Sequence, residues 1–568
     1  MVICGLKLTH DGAIALIDSG KLIFSYEIEK LANKPRYSAF SISLLEVEEI
    51  FREHGYTTSQ VDHWVIDGWD NWNPVSNSTQ NPAPDYYLQL KIDEDRYHKI
   101  NKLASYGHYV KKGEDIWKGE FLMSEDKKFQ FTSYKHVTGH IAGAYCTSPF
   151  AKRSEDSYIL VWDGGMPPQL FYKKGSDAKV LNLGDLFPLM GSIYIEFAHM
   201  FEPFNTYRKD LSIAGKVMAY IACGHKDTWI LGKYREIYLN LIKPTVSLQM
   251  NEDICAIITS RFVKEVAKFQ KFHQIDPRDI LTTFHAFMQE LLLEKLGEIV
   301  ENHPNFAKNL CYSGGCALNI KWNSKIRESG IFERIWIPPF PNDSGSALGA
   351  ACCEMVAKEG IHHLDWNVYK GPPVKNSFLQ KNEFRVSACS IEELALLIYE
   401  QNEPIVMING QAELGPRALG NRSILAPANN PKMKEILNDV KGRESYRPVA
   451  PICLEEDAPG VFEPGSPDPF MLFEHRVRGD WRERVPAICH LDNSARLQTV
   501  NESENEVIYA LLKAYKKLSG IPLLCNTSAN FKGKGFFPDV ESVMNWGKVN
   551  FIWSEGLLFS KNFVLSVC

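Results

Sequence analysis

The sequence HVTGHIAGAYCTSPF, residues 136–150, contains two histidines, His136 and His140, at a spacing of four residues. In a helix this spacing places both imidazoles on one face. Asp163 follows in the strand-like segment YILVWDGG, and Asp343 lies in the loop PPFPNDSGSALGAA. Histidine nitrogens and carboxylate oxygens together suit Fe²⁺, Mn²⁺ or Zn²⁺. These side chains predict a mixed metal site, although such histidines also occur in packing and Asp343 could instead cap a helix.

The segments before and after this stretch follow one plan. VICGLKL is a predicted strand that leads through the turn at residues 9–12 into a hairpin with its turn at residues 19–20. Near residue 158, the strand YILVW, the glycine turn at residues 163–165 and the strand QLFYKKG repeat this order. Two such units predict a duplicated α/β architecture with one nucleotide-sized cleft, whereas single pieces of this kind occur in any α/β protein.

Further elements extend the prediction along the chain. Residues 281–302 have the pattern of an amphipathic helix, and a helix after Asp343 is predicted to stop at Gly360. The polar, aromatic residues 66–130 have no clear period, so we interpret them as insertion and loop that could form a substrate-facing lid.

A change to polar sequence near residues 365–385 marks the candidate domain boundary. After it, SIEELALLIYEQ predicts a helix and PIVMING a strand, which open a second α/β unit. We therefore predict one domain over residues 1–372 and another over residues 373–568, consistent with a chain too long for one ordinary core.

The composition excludes several classes of protein. The 568 residues carry a net charge of −6, which argues against a nucleic-acid partner. No apolar run approaches the roughly 18–20 residues that a membrane span needs. The first residues, MVICGLKLTHDGAIAL, do not have the pattern of a signal peptide. The 13 cysteines show no CxxC pair, so we expect reduced thiols and a cytoplasmic protein.

Several residues near the predicted metal site could take part in chemistry. His10 follows the first strand, where α/β folds bind ligands, and could act as a general base, or it could bond only to its own backbone. Lys216, in LSIAGKVMAY, could meet a phosphate, and we include it among the candidate catalytic residues. Glycine turns could bring backbone close to a nucleotide, although glycine more often only serves the turn. The candidate nucleotide contacts in this half are Gly164, Gly314, Gly315 and Asn319.

The second half has many cationic side chains in short polar turns. Arginine binds phosphate oxygens with two parallel hydrogen bonds, so this pattern favours a site for more than one phosphate over a set of surface ion pairs. The candidate contacts are Arg417, Arg422, Lys441, Arg443, Arg447, Arg496, Asn526 and Ser528.

Nine segments resemble, in order and nearly from end to end, the NodU/CmcH family of carbamoyltransferases. They are HDGAIALIDSGKL, HVTGHIAGAY, VWDGG, AGKVMA, SGGCALNIKWN, PPFPNDSGSALGAA, GPRALGNRSI, YRPVAP and LCNTSAN. The resemblance implies an ASKHA-type, actin-like N-terminal domain, similar to the tRNA threonylcarbamoyl-transfer protein, and a YrdC-like C-terminal domain.

The resemblance also implies a reaction. The C-terminal domain would form carbamoyl adenylate from carbamoyl phosphate and Mg-ATP, and the N-terminal site would transfer the carbamoyl group to a small hydroxylated acceptor. The family's metal ligands, with iron as the expected ion, fall on His136, His140, Asp163 and Asp343, and its catalytic histidine falls on His10. Its phosphate and adenylate contacts fall on the second-half set given above, without Arg443.

Two alternatives remain open at this point. One is carbamoyl or threonylcarbamoyl transfer to a macromolecule such as tRNA, which the net charge of −6 disfavours. The other is a non-enzymatic, actin-like ATP-binding module, which the second-half arginines disfavour. A homodimer is compatible with the sequence, and the identity of the acceptor is beyond it.

Overall fold

A computed structural model describes residues 1–35, 38–69, 88–106, 117–124, 127, 129–175, 177, 179–207, 211–245, 251–375 and 383–562. The strands are β1 Val2–Lys7, β2 Ala13–Asp18, β3 Lys21–Glu27, β4 His63–Asp67, β5 Leu88–Lys91, β6 Tyr97–Ile100, β7 Glu120–Met123, β8 Gln130–Tyr134, β9 Ser157–Val161, β10 Gln169–Lys173, β11 Val180–Asp185, β12 Asn309–Ser313, β13 Arg334–Trp336, β14 Phe384–Ala388, β15 Ile405–Ile408, β16 Arg422–Ala426, β17 Ala450–Leu454, β18 Phe462–Glu463, β19 His475–Val477, β20 Ser494–Ala495, β21 Gln498–Val500, β22 Leu523–Ser528, β23 Phe551–Ser554 and β24 Leu557–Lys561.

The helices are interspersed among these strands and make the chain a mixed α/β protein, as predicted. They are α1 Ile28–Leu31, α2 Leu44–Glu53, α3 His136–Cys146, α4 Pro149–Lys152, α5 Ile193–Ala198, α6 Ser212–Tyr220, α7 Thr228–Ile242, α8 Glu252–His273, α9 Pro277–Glu301, α10 Ile320–Ser329, α11 Ser346–Glu359, α12 Ile391–Gln401, α13 Met433–Lys441, α14 Ala458–Val461, α15 Glu506–Ser519 and α16 Val540–Trp546. Among the described residues, no helix combines the length and apolar character needed to cross a membrane.

The chain divides into two compact units. The first contains Met1–Glu27 and residues 37–367, and the second contains residues 28–36 together with Val368–Cys568. The short segment 28–36 therefore leaves the first unit and joins the second before the chain returns. Nothing in the sequence pattern anticipated this crossing.

Two sheets of the first unit share one strand order. The order is β3-β2-β1-β4-β8-β7 in one sheet and β11-β10-β9-β12-β13 in the other. In each sheet, the three strands that come first in the chain pair antiparallel; these are β1–β3 in one sheet and β9–β11 in the other. Two later strands then extend the sheet in parallel next to β1 or β9; these are β4 and β8 in one sheet and β12 and β13 in the other. This repetition confirms the duplication predicted from the two strand–turn–hairpin units.

Local sequence signals explain several boundaries in the first unit. Ser19 and Gly20 both have positive φ, which allows the tight turn between β2 and β3. Asp276 caps α9 through its side chain, with Pro277 in the first helical position. Gly360 ends α11 in a left-handed conformation, as predicted.

The second unit is built on an eight-stranded mixed sheet of order β14-β24-β23-β15-β16-β22-β17-β21, with a smaller sheet of β18-β19-β20. A buried apolar cluster from this sheet and from α12 and α15 forms its core. The predicted helix and strand after residue 390 are α12 and β15, and Ser390 with Glu393 forms a capping box at the start of α12.

The predicted insertion at residues 66–130 is described only in part. The described residues include the end of β4, the hairpin β5–β6, strand β7 and the segment 101–106. Residues 70–87, 107–116, 125–126 and 128 lie outside the described part of the chain, so the predicted role as a lid stays a prediction.

Candidate metal centre and cationic cluster

Helix α3 carries His136 and His140 on one buried face, as their spacing predicts. Their Nε2 atoms lie 3.1 Å apart. His136 Nδ1 lies 2.8 Å from Asp67 Oδ2, and a carboxylate can only accept, so this nitrogen carries a hydrogen. His140 Nδ1 lies 3.2 Å from Ser313 Oγ, whose own hydroxyl donates to the carbonyl of Pro341. The two Nδ1 atoms are thus taken up by Asp67 and Ser313, and the two Nε2 atoms face each other across one spot.

Asp163 and Asp343 complete this cluster. One ligand atom from each of the four side chains lies within 4.8 Å of all the others. Asp343 Oδ1 lies 3.4 Å from His136 Nε2 and 3.7 Å from His140 Nε2. Two imidazole Nε2 atoms this close need a proton or a metal cation between them, so the donor set fits a divalent metal such as Fe²⁺, Mn²⁺ or Zn²⁺. Asp343 does not cap α11, because Gly345 occupies the capping position.

Two charged residues that the sequence analysis missed support the cluster. Lys7 ends β1 and Asp67 ends β4, and these strands are parallel neighbours, so both side chains emerge at one sheet edge. Lys7 Nζ lies 2.7 Å from Asp67 Oδ2 and 3.2 Å from Asp343 Oδ2, with both partners buried. Burial lowers the pKa of Lys7, but the charges of Asp343 and Asp67 outweigh this and raise it. The sequence signal that could have identified Lys7 and Asp67 is their position as charged residues at the carboxyl ends of two strands.

Asp67 in turn orients His136. A carboxylate bonded to the outer nitrogen of a ligand histidine fixes its tautomer and raises its basicity. Burial lowers the pKa of His136, but the charges of Asp67 and Asp343 outweigh burial and raise the pKa to about 9. A bound cation would therefore displace a proton from Nε2.

His10 lies at the edge of the cluster. Its Nδ1 is 2.9 Å from Asp11 Oδ2, and its Nε2 is 3.6 Å from Asp343 Oδ2. The ring packs edge-on against Trp69 at 5.0 Å between centroids, and about a third of the side chain is exposed. Burial lowers the pKa of His10, but the hydrogen bond with Asp11 and the charge of Asp343 outweigh it and raise the pKa. The side chain thus bonds to Asp11, and not to its own backbone as the alternative expected.

Glycine allows the two ligand-bearing elements to approach. A Cβ on Gly349 of α11 would lie 2.2 Å from the carbonyl oxygen of Gly139 in α3. A Cβ on Gly5 of β1 would lie 2.0 Å from the carbonyl oxygen of Ala347. The small residues of HVTGHIAG and SGSALGAA therefore let helix α11 lie directly on α3 and β1, with Asp343 just before it.

The predicted nucleotide-contacting glycines of the first unit shape the turn beside Asp163. Gly315 N donates to Asp163 Oδ1 at 2.6 Å. Gly314 has φ 90°, and its added Cβ would lie 2.4 Å from the carbonyl oxygen of Trp162. Gly164 faces open space among the described residues, and Asn319 accepts from Trp322 N as the cap of α10. Their contact with an adenylate stays a prediction.

Lys216 lies on helix α6, and its Nζ is 4.3 Å from the ring centroid of Tyr207. This is a cation–π contact. Its catalytic role stays a prediction.

In the second unit, Glu413 organises the arginine-rich turn. Its buried Oε1 accepts from the backbone N–H groups of Leu419, Asn421 and Arg422 at 2.7, 2.8 and 3.1 Å. The guanidinium of Arg422 is buried and donates to four backbone carbonyls, those of Asn409, Asn421, Pro372 and Gly410. Those bonds engage both terminal nitrogens, so a phosphate contact by Arg422 stays a prediction without structural support.

Four of the other predicted cations form a cluster in which Lys441 is buried and Arg443, Arg447 and Arg496 are half-buried. Burial, followed by the charges of Arg443 and Arg447, holds the pKa of Lys441 well below its usual value. Burial and the charge of Arg447 lower the pKa of Arg443 to about 9 and that of Arg496 to about 10. Mutual repulsion between neighbouring cations that are shielded from water is relieved by an anion, so this cluster is suited to bind one.

Polar residues of β22 surround these cations. Lys441 Nζ donates to the backbone and side-chain oxygens of Ser528 and Asn530, and Arg443 donates to Thr527 Oγ1 at 2.8 Å. Asn526 Nδ2 donates to the carbonyl of Ala418 at 3.0 Å. The structure thus brings the predicted residues of α13 and β22 together. Arg417 lies in the turn that Glu413 shapes, and its phosphate contact stays a prediction.

Two family models match the chain. Residues 2–352 match the carbamoyltransferase N-terminus, and residues 397–556 match the carbamoyltransferase C-terminus. Among solved structures, the match to full-length HypF in its phosphate- and nucleotide-bound form covers 63% of this chain and 56% of that chain, with 9% identity. Its TM-score of 0.29 is too low to support an inference about the fold.

Curated relatives match over nearly the whole length. "Nodulation protein U" of Rhizobium tropici is 43% identical over 99% of this chain and 96% of its own. "3'-Hydroxymethylcephem-O-carbamoyltransferase" of Streptomyces clavuligerus is 29% identical over 96% of both chains. These matches exclude the non-enzymatic ATP-binding module. The chain belongs to the carbamoyltransferase family and is a transferase.

Proposed function

We propose that this chain is an ATP-dependent O-carbamoyltransferase that acts on a small secondary metabolite. The second unit would form carbamoyl adenylate from carbamoyl phosphate and Mg-ATP, and the first unit would transfer the carbamoyl group to a hydroxyl. The observation that carries the proposal is the convergence of His136, His140, Asp163 and Asp343, with His10 Nε2 only 3.6 Å from Asp343 Oδ2. The actin-like and YrdC-like folds expected from the resemblance are part of this proposal.

The clustered cations of the second unit support the first half-reaction. Carbamoyl phosphate and ATP are both polyanions, and arginine binds phosphate oxygens with good geometry. For the atoms to balance, carbamoyl phosphate and one water give carbamate and phosphate. A carbamate oxygen then attacks the α-phosphorus of ATP and releases pyrophosphate. Arg443 and Arg496, which are half-buried, are suited to hold these phosphates, whereas Lys441 Nζ is already engaged by the oxygens of Ser528 and Asn530.

His10 is suited to accept the acceptor's proton in the second half-reaction. The bond to Asp11 Oδ2 places a hydrogen on Nδ1 and leaves the Nε2 lone pair for the hydroxyl proton. The hydroxyl oxygen then attacks the carbamoyl carbon, and AMP leaves with the electron pair of the broken bond. A divalent metal held by the four-residue cluster, iron being the first expectation, would supply Lewis-acid polarisation of the carbamoyl oxygen.

The relatives suggest the chemical class of the acceptor. The Streptomyces clavuligerus relative is named for O-carbamoyl transfer to a hydroxymethyl group of a cephem, a small molecule. We infer a small hydroxylated acceptor for this chain as well. The net charge of −6 is less suited to tRNA, whose backbone is polyanionic.

The two half-reactions can be tested separately. The purified chain, given ATP, Mg²⁺ and carbamoyl phosphate, should release both phosphate and pyrophosphate without an acceptor. His10→Ala should keep this release and lose carbamoyl transfer, measured by mass spectrometry of candidate hydroxylated acceptors. Arg443→Met should lose pyrophosphate release, because it removes one half-buried cation of the cluster.

Matched controls separate these effects from general damage. His225→Ala changes a histidine whose side chain is 94% exposed, and Arg385→Met changes an exposed arginine on β14. Both should behave like the wild type. Full transfer by His10→Ala would refute the base role, and pyrophosphate release that does not require carbamoyl phosphate would refute the adenylation step.

A further inference from the structure

Tyr106 contacts two members of the metal cluster. Its hydroxyl donates a hydrogen bond to Asp163 Oδ2, and its ring lies over His136 with 4.4 Å between centroids and 33° between planes. Only 7% of the residue is exposed. One side chain therefore constrains an oxygen ligand and a nitrogen ligand that are 27 positions apart in the sequence.

The backbone next to Tyr106 holds the start of the ligand-bearing helix. The first N–H groups of a helix have no partner within it and need a cap. In α3 the capping residue, Lys135, makes no side-chain cap bond. Instead the carbonyl of Ser105 accepts from His136 N at 3.2 Å, and that of Tyr106 accepts from Val137 N at 3.1 Å. Segment 105–106 thus replaces the usual capping side chain and fixes where α3 begins.

Both oxygens of Asp163 have a donor. Oδ1 accepts from Gly315 N at 2.6 Å, and Oδ2 accepts from the Tyr106 phenol. Donors to a ligand carboxylate set its orientation and moderate its charge. Without the phenol, Oδ2 would lose its donor, and the carboxylate could rotate about the Gly315 bond.

We propose that Tyr106 is a positioning residue of the metal centre. Its hydroxyl orients Asp163 and its ring fixes the plane of His136, so that both present their ligand atoms to one cation. This inference rests on the proposed function, because it requires a divalent cation to bind at the four-residue cluster. It assigns a role to a residue of the 66–130 region, where the sequence showed no site.

The test compares two tyrosines that differ in their hydroxyl contacts. Tyr106→Phe removes the donor to Asp163. Tyr312→Phe is the control, because Tyr312 is fully buried on β12 and its hydroxyl has no hydrogen-bond partner among the described residues. The full-length protein is stripped with a chelator and titrated with Co²⁺, whose visible absorption reports on ligand geometry. A second readout is the urea midpoint of the stripped protein.

We expect Tyr106→Phe to weaken Co²⁺ binding by about 10-fold and to change the cobalt spectrum, as loss of an outer hydrogen bond to a ligand does. Tyr312→Phe should match the wild type in both. A merely structural role would lower the urea midpoint of Tyr106→Phe and leave the spectrum of the bound cobalt unchanged, which would overturn the proposal. Unchanged affinity and spectrum would overturn it as well.

Further outcomes separate this inference from the proposed function. If the wild type binds no Co²⁺, or if Asp343→Asn binds it as tightly as the wild type, the metal site itself is wrong and Tyr106 has no ligand to position. If the wild type loaded with Fe³⁺ shows a phenolate-to-iron charge-transfer band that Tyr106→Phe lacks, Tyr106 is itself a ligand and the hydrogen-bond role is wrong.

Discussion

Substitution of Gly349 by alanine tests whether the close packing of α11 on α3 positions the metal ligands. The new Cβ would lie 2.2 Å from the carbonyl oxygen of Gly139 and 2.8 Å from its carbonyl carbon. Ordinary contacts begin at 3.4 Å, so the helices must separate by about 1.2 Å along that direction. All three of the nearest atoms belong to the backbone of Gly139, so no side chain can rotate away to make room.

Overpacking of this kind costs about 1–3 kcal/mol, because the neighbouring backbone must shift. The same shift would move Asp343, which precedes α11, away from His140. Functional side chains need to be held within about 0.5 Å, so a displacement of this size should also weaken Co²⁺ binding. Urea unfolding of the chelator-stripped protein and a Co²⁺ titration measure the two effects.

Two other Gly→Ala substitutions serve as controls. Gly143→Ala lies in the same helix pair, but its nearest contact is the Cα of Gly349 at 3.4 Å, so it should be tolerated. Gly232→Ala lies in α7, where a Cβ meets nothing within 4 Å in the described structure, and it should stabilise the protein by about 0.5–1 kcal/mol. If Gly349→Ala unfolds at the same urea concentration as Gly143→Ala and binds Co²⁺ equally well, the packing argument is wrong.

Three further changes test other parts of the structure. Lys7→Met, in chelator-stripped protein, should lower the free energy of unfolding by about 3–5 kcal/mol, because it leaves the two buried carboxylates of Asp67 and Asp343 with only His136 as a cationic partner. Lys295→Met, which breaks an exposed pair with Glu298, should change it by less than about 1 kcal/mol, and equal urea midpoints would contradict the reasoning. Glu413→Gln should slow pyrophosphate release, since an amide accepts the three N–H bonds of the turn less strongly than a carboxylate, and an unchanged rate would show that the turn keeps its shape without the charge. Burial lowers the pKa of His285 from 6.5 to about 3, so the unfolded chain binds the proton first and the free energy of unfolding should fall as the pH drops from 6.5 towards 3. His285→Gln can still accept from the Tyr194 hydroxyl and should flatten this pH dependence in urea unfolding curves, whereas an equally steep curve would exclude His285 as its source.

The convergence of His136, His140, Asp163 and Asp343 could be predicted because its signals are local. The four-residue spacing of His136 and His140 fixes their shared face, and Asp163 directly follows a strand-like segment. The supporting residues could not be found in this way. Asp67 and Tyr106 reach the cluster from the 66–130 region, which has no clear period, and their contacts depend on which strands become neighbours in the sheet.

The second unit shows the limits of reading charge from sequence. The density of arginines predicted an anion site, and the structure places Lys441, which is buried, and Arg443 and Arg496, which are half-buried, near other cations. The residues predicted from this density also included Arg422, whose guanidinium instead donates to backbone carbonyls. Whether an arginine faces a ligand or its own backbone depends on tertiary packing, which residue type and spacing do not encode.

The crossing of residues 28–36 into the second unit has a practical consequence for truncation. Lys30, in α1, donates to the carbonyls of Glu413 and Gly415, and a Cβ on Gly535 would lie 2.0 Å from the carbonyl oxygen of Glu29. A gene fragment that starts at residue 368 would therefore lack an internal piece of its own folded body and leave the carbonyls of Glu413 and Gly415 without their Lys30 donor. Neither half can be excised by a single cut, so dissection of the enzyme would require supplying the short amino-terminal peptide in trans or grafting it onto the fragment.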